Sequence, residues 1–375
     1  MHIPDGFLDA PTSIGTGLLA VGATALALRQ ARRELGETGP VLAGLVACFV
    51  FAVQMVNFPV GAGTSGHLLG GALAAVLVGP WTGVLVMTTV LLVQALVFAD
   101  GGLTALGANI TVMGVVGVLV GSIVVRAVLA VLPRRPASVV PAAAVAGLLS
   151  VPAAALAFVG LYAVGGAAPI PLGTLTTAML GWHLVIGIGE AVITAAVASA
   201  VVASRPDLVH VARHLVPDLE LVDGDGRRTT VRADAPVGRR RARVTPRFAG
   251  GLLALSLLVG GGLSLLASSH PDGLEYVGER LGFGSTAVDS AAASSPLAGY
   301  SLAWLGDGAG AAVAAGIIGV LLTLALGVLL SSLAHRGAGG GGAAGGAGGG
   351  GGADPEVGGG DERRQVGAGA TRRDG

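Results

Sequence analysis

Nine apolar runs, most of them close to the about 17–25 residues that carry a helix across a bilayer, leave this chain few choices of fold. Seven lie at about 11–28, 41–57, 67–79, 81–98, 109–132, 138–163 and 174–203, and after a polar stretch two more follow at about 248–268 and 308–334. Backbone amides inside a membrane find no water, so each run must close its own hydrogen bonds as a helix. The chain is 53% hydrophobic and 12% charged, whereas a soluble domain carries about 25% charge. The expected class is therefore an all-α polytopic membrane protein, a seven-helix bundle followed by a two-helix module. The third run is short, and Gly79-Pro80-Trp81 predicts a tight turn between it and the fourth.

Arginine orients the helices, because basic residues collect on the cytoplasmic side. Arg29, Arg32 and Arg33 follow the first run, Arg134 and Arg135 the fifth, and ten arginines from Arg205 to Arg247 the seventh. Placing these in the cytoplasm predicts a multi-pass protein of the cell membrane with its N-terminus outside and its C-terminus inside. Residues 1–9 and the 58–66, 99–108 and 269–307 loops then share the outer side, with Arg280 the sole arginine there. Arg126, near the cytoplasmic end of its span, can snorkel. The domains read as 1–203, a membrane domain; 204–247, an Arg-rich cytoplasmic linker; 248–334, a two-helix module; and 335–375, a Gly-rich tail expected to be disordered. A basic leader is absent and Pro4, Asp5 and Asp9 interrupt any early apolar run, so no cleavable signal peptide is expected and Met1 stays at the mature N-terminus. Ala23 and Ala27 form a small-residue pair on the first span, a candidate contact face for a partner.

Several chemistries are excluded. The chain has no lysine, and without one it cannot build the G-x-x-x-x-G-K-[ST] phosphate loop; any ATP-driven step belongs to another subunit. Its single cysteine, Cys48, rules out a disulfide framework and a paired-cysteine metal site. H-E-x-x-H, G-x-S-x-G and EF-hand patterns are missing. The basic residues lack interleaved aromatics, so they point to anionic lipid or a cytoplasmic partner and not to nucleic acid.

The candidate chemistry sits at the N-terminus. Met1 and His2 place an amine, an amide nitrogen and an imidazole on consecutive residues, and together they can chelate a divalent ion in a planar arrangement suited to Ni(II), Cu(II) or Co(II). His67 is the candidate fourth donor. It follows Gly61, Gly63 and Gly66, a literal G-x-G-x-x-G whose dinucleotide reading fails because an apolar helix, not a strand, precedes it. The Gly-rich stretch reads instead as a permissive loop that folds over the N-terminus and delivers His67 at a helix start, where the helix dipole favours the neutral, ligating imidazole. The alternative for His67 is a histidine bonded to loop carbonyls. Thr64, Ser65, Asn109 and His183 are candidates for ordering the loops or supporting the ligands. Asp100 either attracts cations or is a solvated turn residue. Glu190 and His183 are seven residues apart inside the seventh run and share a face. Ionisable groups at that depth are functional by default, yet a structural hydrogen bond to a neighbouring helix suits Glu190 equally. A rival reading takes His67, His183 and Glu190 as the ligands of an intramembrane metallohydrolase with an activated water. A passive channel lacks the repeated acidic rings of a pore.

Met-His-Ile-Pro-Asp-Gly-Phe-Leu at the start resembles the CbiM/NikM family, as do Gly-Thr-Ser-Gly-His-Leu-Leu-Gly-Gly-Ala at 63–72, Gly-Gly-Leu-Thr-Ala-Leu-Gly-Ala-Asn at 101–109 and Gly-Ile-Gly-Glu-Ala-Val-Ile-Thr at 187–194. These are the substrate-specific (S) membrane components of energy-coupling factor (ECF) importers for cobalt and nickel. His270-Pro-Asp-Gly-Leu-Glu275 resembles the PDGLE domain, related to the small CbiN/NikN subunit. The resemblance implies a transport protein, not an enzyme, that feeds cobalamin biosynthesis or nickel enzymes. It implies Co(II) or Ni(II) as cargo, held by Met1, His2 and His67, with Asn109 ordering the loops. It also implies a transmembrane coupling (T) protein and two ATPase subunits as partners. Because amine and imidazole must both shed protons, with reference pKa values of about 8 and 6.5, binding is expected to weaken as pH falls.

Overall fold

A computed structural model of the chain describes residues 1–215, 219–222, 228–231, 244–302, 304–306 and 308–336. The tail beyond residue 336 and most linker arginines, Arg227, Arg232, Arg239, Arg240, Arg241 and Arg243 among them, lie outside the described residues.

Two joints of one design open the bundle. Helix α1 (Ala10–Thr38) ends at Gly39 and α2 (Pro40–Gln54) begins at the next residue; α3 (Gly71–Val78) ends at Gly79 and α4 (Pro80–Val97) begins at the next. Gly39 and Gly79 adopt φ of 82° and 95°, a region open to glycine at no steric cost. The proline that follows has a fixed φ suited to a first helical turn and lacks the N–H that would go unbonded there. A buried carboxylate completes the second joint: Glu34 accepts from Thr82 N at 2.7 Å and Trp81 N at 3.3 Å.

Beyond α4 come α5 (Leu106–Asn109), a π-helical stretch (Ile110–Val116) and α6 (Gly117–Val131), which together form one span. Helices α7 (Val139–Gly165) and α8 (Leu172–Ser204) complete the first module. The second consists of α9 (Pro246–Gly261), the short α10 (Gly273–Leu281) and α11 (Ala309–Arg336). Among the described residues sheet is confined to a hairpin of β1 (Phe58–Gly61) with β2 (Thr64–Gly66), and a second of β3 (Leu219–Val222) with β4 (Arg228–Val231) inside the linker. The protein is an all-α polytopic membrane protein.

All nine expected helices form, and seven of them are long and apolar enough to cross a membrane. The two that fall short, α2 with 15 residues and α3 with 8, are the most buried. Eight residues rise about 12 Å, under half of a hydrocarbon core of about 30 Å, so α3 is a half-span reached through extended backbone at 67–70. Such backbone is tolerated at membrane depth where protein surrounds it, and every residue from Thr64 to Gly79 is buried. The long helices α1, α8 and α11 form the perimeter and carry exposed Ile14, Leu18, Val192 and Leu329. Ala27, expected on a partner-facing surface, is instead buried within the bundle with Ala20 and Ala31.

The two modules are packed into one body: α11 lies against α2 and α9, and α10 against α8. The start of the linker is also part of the core. Leu208, Val209 and Ala212 are buried, and His210 N and Val211 N donate to Leu77 O and Val76 O, closing the last carbonyls of α3.

Candidate metal centre

The N-terminal segment is threaded into one end of the bundle and bonded along its length. Asn109 clasps Ile3 in both directions, accepting from Ile3 N at 2.7 Å and donating to Ile3 O at 3.0 Å. Gly102 N also donates to Ile3 O, and the Asp5 carboxylate accepts from Leu103 N, Thr104 N and the Thr104 hydroxyl. Asp9 caps α1 by accepting from Thr12 N at 2.9 Å. The outcome is that Met1 is 3% exposed and His67 4%, in contact: the Met1 amine lies 2.5 Å from His67 Nε2. The His2 and His67 rings stack with centroids 5.0 Å apart.

Two backbone carbonyls decide which ring nitrogens are free. A carbonyl can only accept, so His67 Nδ1, 2.9 Å from Leu68 O, carries the proton and Nε2 presents its lone pair to the amine. The second chain is longer. Gln54 Nε2 donates to Leu69 O at 2.7 Å, so Gln54 Oε1 is the atom that accepts from Gln94 Nε2 at 2.8 Å. Gln94 Oε1 therefore faces His2, 3.1 Å away, and His2 Nε2 must be the donor. The lone pair of His2 is left on Nδ1, the nitrogen an N-terminal chelate requires. Burial, the largest influence, pushes the His2 imidazole down to about 4, against the opposing pull of Asp100. In that neutral state Nδ1 and Asp100 Oδ1 are two acceptors 3.2 Å apart. Asp100 is held in turn by the Tyr300 hydroxyl, whose ionisation burial and then Asp100 push well above its usual range.

The end of the site is closed by the second module. Asp272 Oδ2 sits 2.5 Å from the Met1 amine and 3.8 Å from His67 Nε2. Burial raises the Asp272 carboxyl, but the terminal ammonium overcomes it and holds it well below the carboxylate range. Its other oxygen, Oδ1, caps α10 by accepting from Leu274 N at 2.8 Å and Glu275 N at 2.9 Å, and the Glu275 carboxylate returns a bond to Asp272 N. The sequence alone offers Asp272, with His270 and Glu275, two roles, briefly holding a cation or forming a structured turn, with the turn favoured; the structure sets it beside the amine. Its signal was an Asp-x-x-Glu capping box in the loop expected on the same side as Met1.

The remaining candidates sort by their bonds. His67 does not sit at a helix start: α3 begins four residues later, at Gly71, so its tautomer comes from Leu68 O and not from a helix dipole. Ser65 ties its loop to the second module, not to the N-terminus, through Ser65 Oγ to His270 O at 2.7 Å and Ser65 N to Pro271 O at 2.9 Å. Thr64 Oγ1 is buried without a hydrogen-bond partner among the described residues. His183 donates from Nδ1 to Met179 O at 2.8 Å and bonds none of the candidate ligands; its Nε2 is buried beside Gly273. Glu190 spends both oxygens on the start of α3, accepting from Leu69 N at 2.6 Å and Gly70 N at 3.0 Å. A ligand set of His67, His183 and Glu190 is therefore not assembled. Among the described residues no three His, Cys, Asp or Glu side chains are grouped to hold a metal, so a site here exists only by including the terminal amine.

Residues 2–208 match the model of the CbiM family, the cobalt uptake substrate-specific transmembrane region, and residues 246–336 match the PDGLE domain. Helices of spanning length, together with this family match, define a multi-pass membrane protein of the metal-transport class. The chain belongs to the CbiM family, in the form that carries a PDGLE domain behind the membrane region. It is similar to a putative fused nickel transport protein NikMN of Archaeoglobus fulgidus, 35% identical over 89% of this chain and 99% of that one. A putative metal transport protein of Haloquadratum walsbyi is 44% identical over 59% of this chain and all of its own length. The cobalt transport protein CbiM of Sorangium cellulosum is 36% identical over 56% of this chain and 94% of its own. A crystal structure of a truncated transition metal transporter matches 54% of this chain and 99% of that chain, at 31% identity and a TM-score of 0.47.

Proposed function

We propose that this chain is the substrate-binding membrane component of an energy-coupling factor, ABC-type importer for Co(II) or Ni(II), and is a carrier, not an enzyme. The cargo is held by the Met1 amine, the His2 amide and Nδ1, and His67 Nε2. The observation that carries the reading is the convergence of the free amine on His67 Nε2, with Leu68 O and the Gln54–Gln94 relay leaving a lone pair on each histidine. Two nitrogen donors bound side by side at about 2.0 Å from one ion lie about 2.8 Å apart, close to the 2.5 Å seen between Met1 N and His67 Nε2. Residues 1–203 form the binding domain, 248–334 the PDGLE module, and 204–247 join them on the cytoplasmic face. The arginine pattern supports an outward-facing site. A chain with no lysine cannot build the lysine-dependent phosphate loop, so any ATP-driven step belongs to another subunit, which supports a transmembrane coupling protein and two ATPase subunits as partners.

Calorimetry with Ni(II) and Co(II) on the purified full chain in detergent tests this reading. One alanine placed before Met1 displaces the amine while leaving every side chain in place. Affinity is expected to collapse, and the tighter metal names the cargo. Unchanged affinity in the extended chain refutes the chelate.

A further inference from the structure

We propose that the cavity between the end of α6 and the start of the linker binds an anionic phospholipid, with Arg126 and Arg134 taking its headgroup phosphate. The span Leu106–Val131 has Asn109 of the metal centre near one end and Arg126 near the other, roughly 25 Å along the helix, so the two sites are separate. At that far end a cavity of about 530 Å³ opens, within the range of about 300–1,000 Å³ that small-molecule sites occupy. Arg126, Leu129, Leu132 and Arg134 wall it on one side, and His210 and Val211 of the linker on the other. Both arginines are exposed, and neither guanidinium forms an ion pair among the described residues. Glu34, a carboxylate whose charge Arg126 feels, is spent on Trp81 N and Thr82 N.

The shape of the surroundings selects a lipid. A guanidinium presents paired N–H donors that match the oxygens of a phosphate. Leu119 and Ile123, seven and three residues before Arg126, lie on its face of α6 and are 40% and 66% exposed. An apolar track therefore leads from the arginines along the helix into the membrane. An acyl chain covers that track while its phosphate stays with the arginines; free phosphate or an acidic protein segment would cover the charged end alone. On the orientation proposed above, this end meets the cytoplasmic leaflet, whose surface is anionic. The linker wall gives occupancy a structural consequence. His210 N and Val211 N close the last carbonyls of α3, so a lipid held between α6 and the linker braces the half-span that follows His67.

Native mass spectrometry of the full chain released from neutral detergent, with phosphatidylglycerol or phosphatidylcholine added, counts the lipid retained. Phosphatidylglycerol should be held in preference to phosphatidylcholine, whose headgroup has no net charge. Arg126→Gln with Arg134→Gln should weaken retention about 25-fold, about fivefold for each cation at an anionic surface. Arg32→Gln with Arg33→Gln removes the same charge at exposed positions outside the cavity and should leave retention unchanged. Ala130→Trp, exposed on the cavity wall, keeps both arginines, fills the space and should also release the lipid. Thermal unfolding without added lipid checks that each variant folds, and Ala130→Trp carries the test if the arginine pair does not. Equal loss in the two arginine pairs, or no preference over phosphatidylcholine in wild type, overturns the proposal. Inorganic phosphate that displaces the lipid at equal concentration assigns the site to free phosphate and overturns it too. Retention unchanged in every variant does the same and leaves the cavity to an acidic protein partner. No readout here uses metal, so the cavity and the metal centre stand or fall separately.

Discussion

Replacing Glu190 with glutamine should weaken the whole bundle, because this carboxylate starts the half-span α3. Its two oxygens accept from Leu69 N at 2.6 Å and Gly70 N at 3.0 Å, at the end of a helix whose eight residues are all buried. Glutamine keeps one acceptor and turns an NH2 group toward the second amide. A hydrogen bond to a charged group is worth about 1.5–3 kcal/mol, and an unmet buried donor costs about 1–3 kcal/mol. The expected loss is therefore about 2–4 kcal/mol for Glu190→Gln, and more for Glu190→Ala, which leaves both amides unmet and opens a cavity. Equilibrium unfolding by SDS in mixed micelles, read from tryptophan fluorescence, measures the loss. Ni(II) affinity is the second readout, since Leu69 follows His67 by two residues and the same bonds hold that backbone. A Gln variant within about 0.5 kcal/mol of wild type, the range of an inconsequential surface change, would refute the argument that Glu190 is structural.

Gln54→Met removes the donor to Leu69 O and frees the Gln94 amide to turn, so the His2 tautomer is no longer imposed. Ni(II) affinity should fall roughly two- to tenfold, the worth of one neutral hydrogen bond of about 0.5–1.5 kcal/mol, and calorimetry that finds no change breaks the relay. Gly102→Ala would place a methyl group on the Asp5 backbone nitrogen and carboxylate, both inside van der Waals contact. Met1 should then be released to water, and amine-reactive labelling of the N-terminus in the variant should rise well above wild type. Tyr300, its phenol raised by burial and Asp100, contributes to docking in full below its unfolded pKa of about 10. That contribution is lost as pH rises through the higher folded value. Tyrosinate absorbance should therefore show a phase resisting alkali, and Tyr300→Phe should reduce that phase by one tyrosine's worth of absorbance.

The class of this protein was legible from its sequence because membrane insertion reads a one-dimensional property. Length and hydrophobicity of each run are local, and a run in lipid has one good backbone solution, so each of the nine runs contains a helix, and all but the third are helical over most of their length. Gly39-Pro40 and Gly79-Pro80 were equally readable, since their φ preferences belong to the residues themselves. The site was half legible. The consecutive Met1 and His2 and the Gly-rich approach to His67 carried their chemistry openly, and the seven-residue spacing put His183 and Glu190 on one buried face.

The sequence could not state what those groups bond to, because that depends on partners far apart in the chain. Glu190 is at once a costly intramembrane acid and the cap of a helix starting at Gly71, and only the packing of α8 against that start distinguishes the two. The length of α3 was hidden because hydropathy does not distinguish extended backbone at 67–70 from helix. The lone pairs of His2 and His67 are set by Leu69 O through Gln54 and Gln94, and by Leu68 O, none of which composition or spacing reveals. Asp272 is separated from Met1 by 270 intervening residues and reaches the amine only because α9 and α11 bring its loop over the N-terminus. Local sequence therefore determined the helices and the donor types, while the tertiary structure decided which donors face one another, since hydrogen bonds act over about 3 Å and sequence separation carries no such distance.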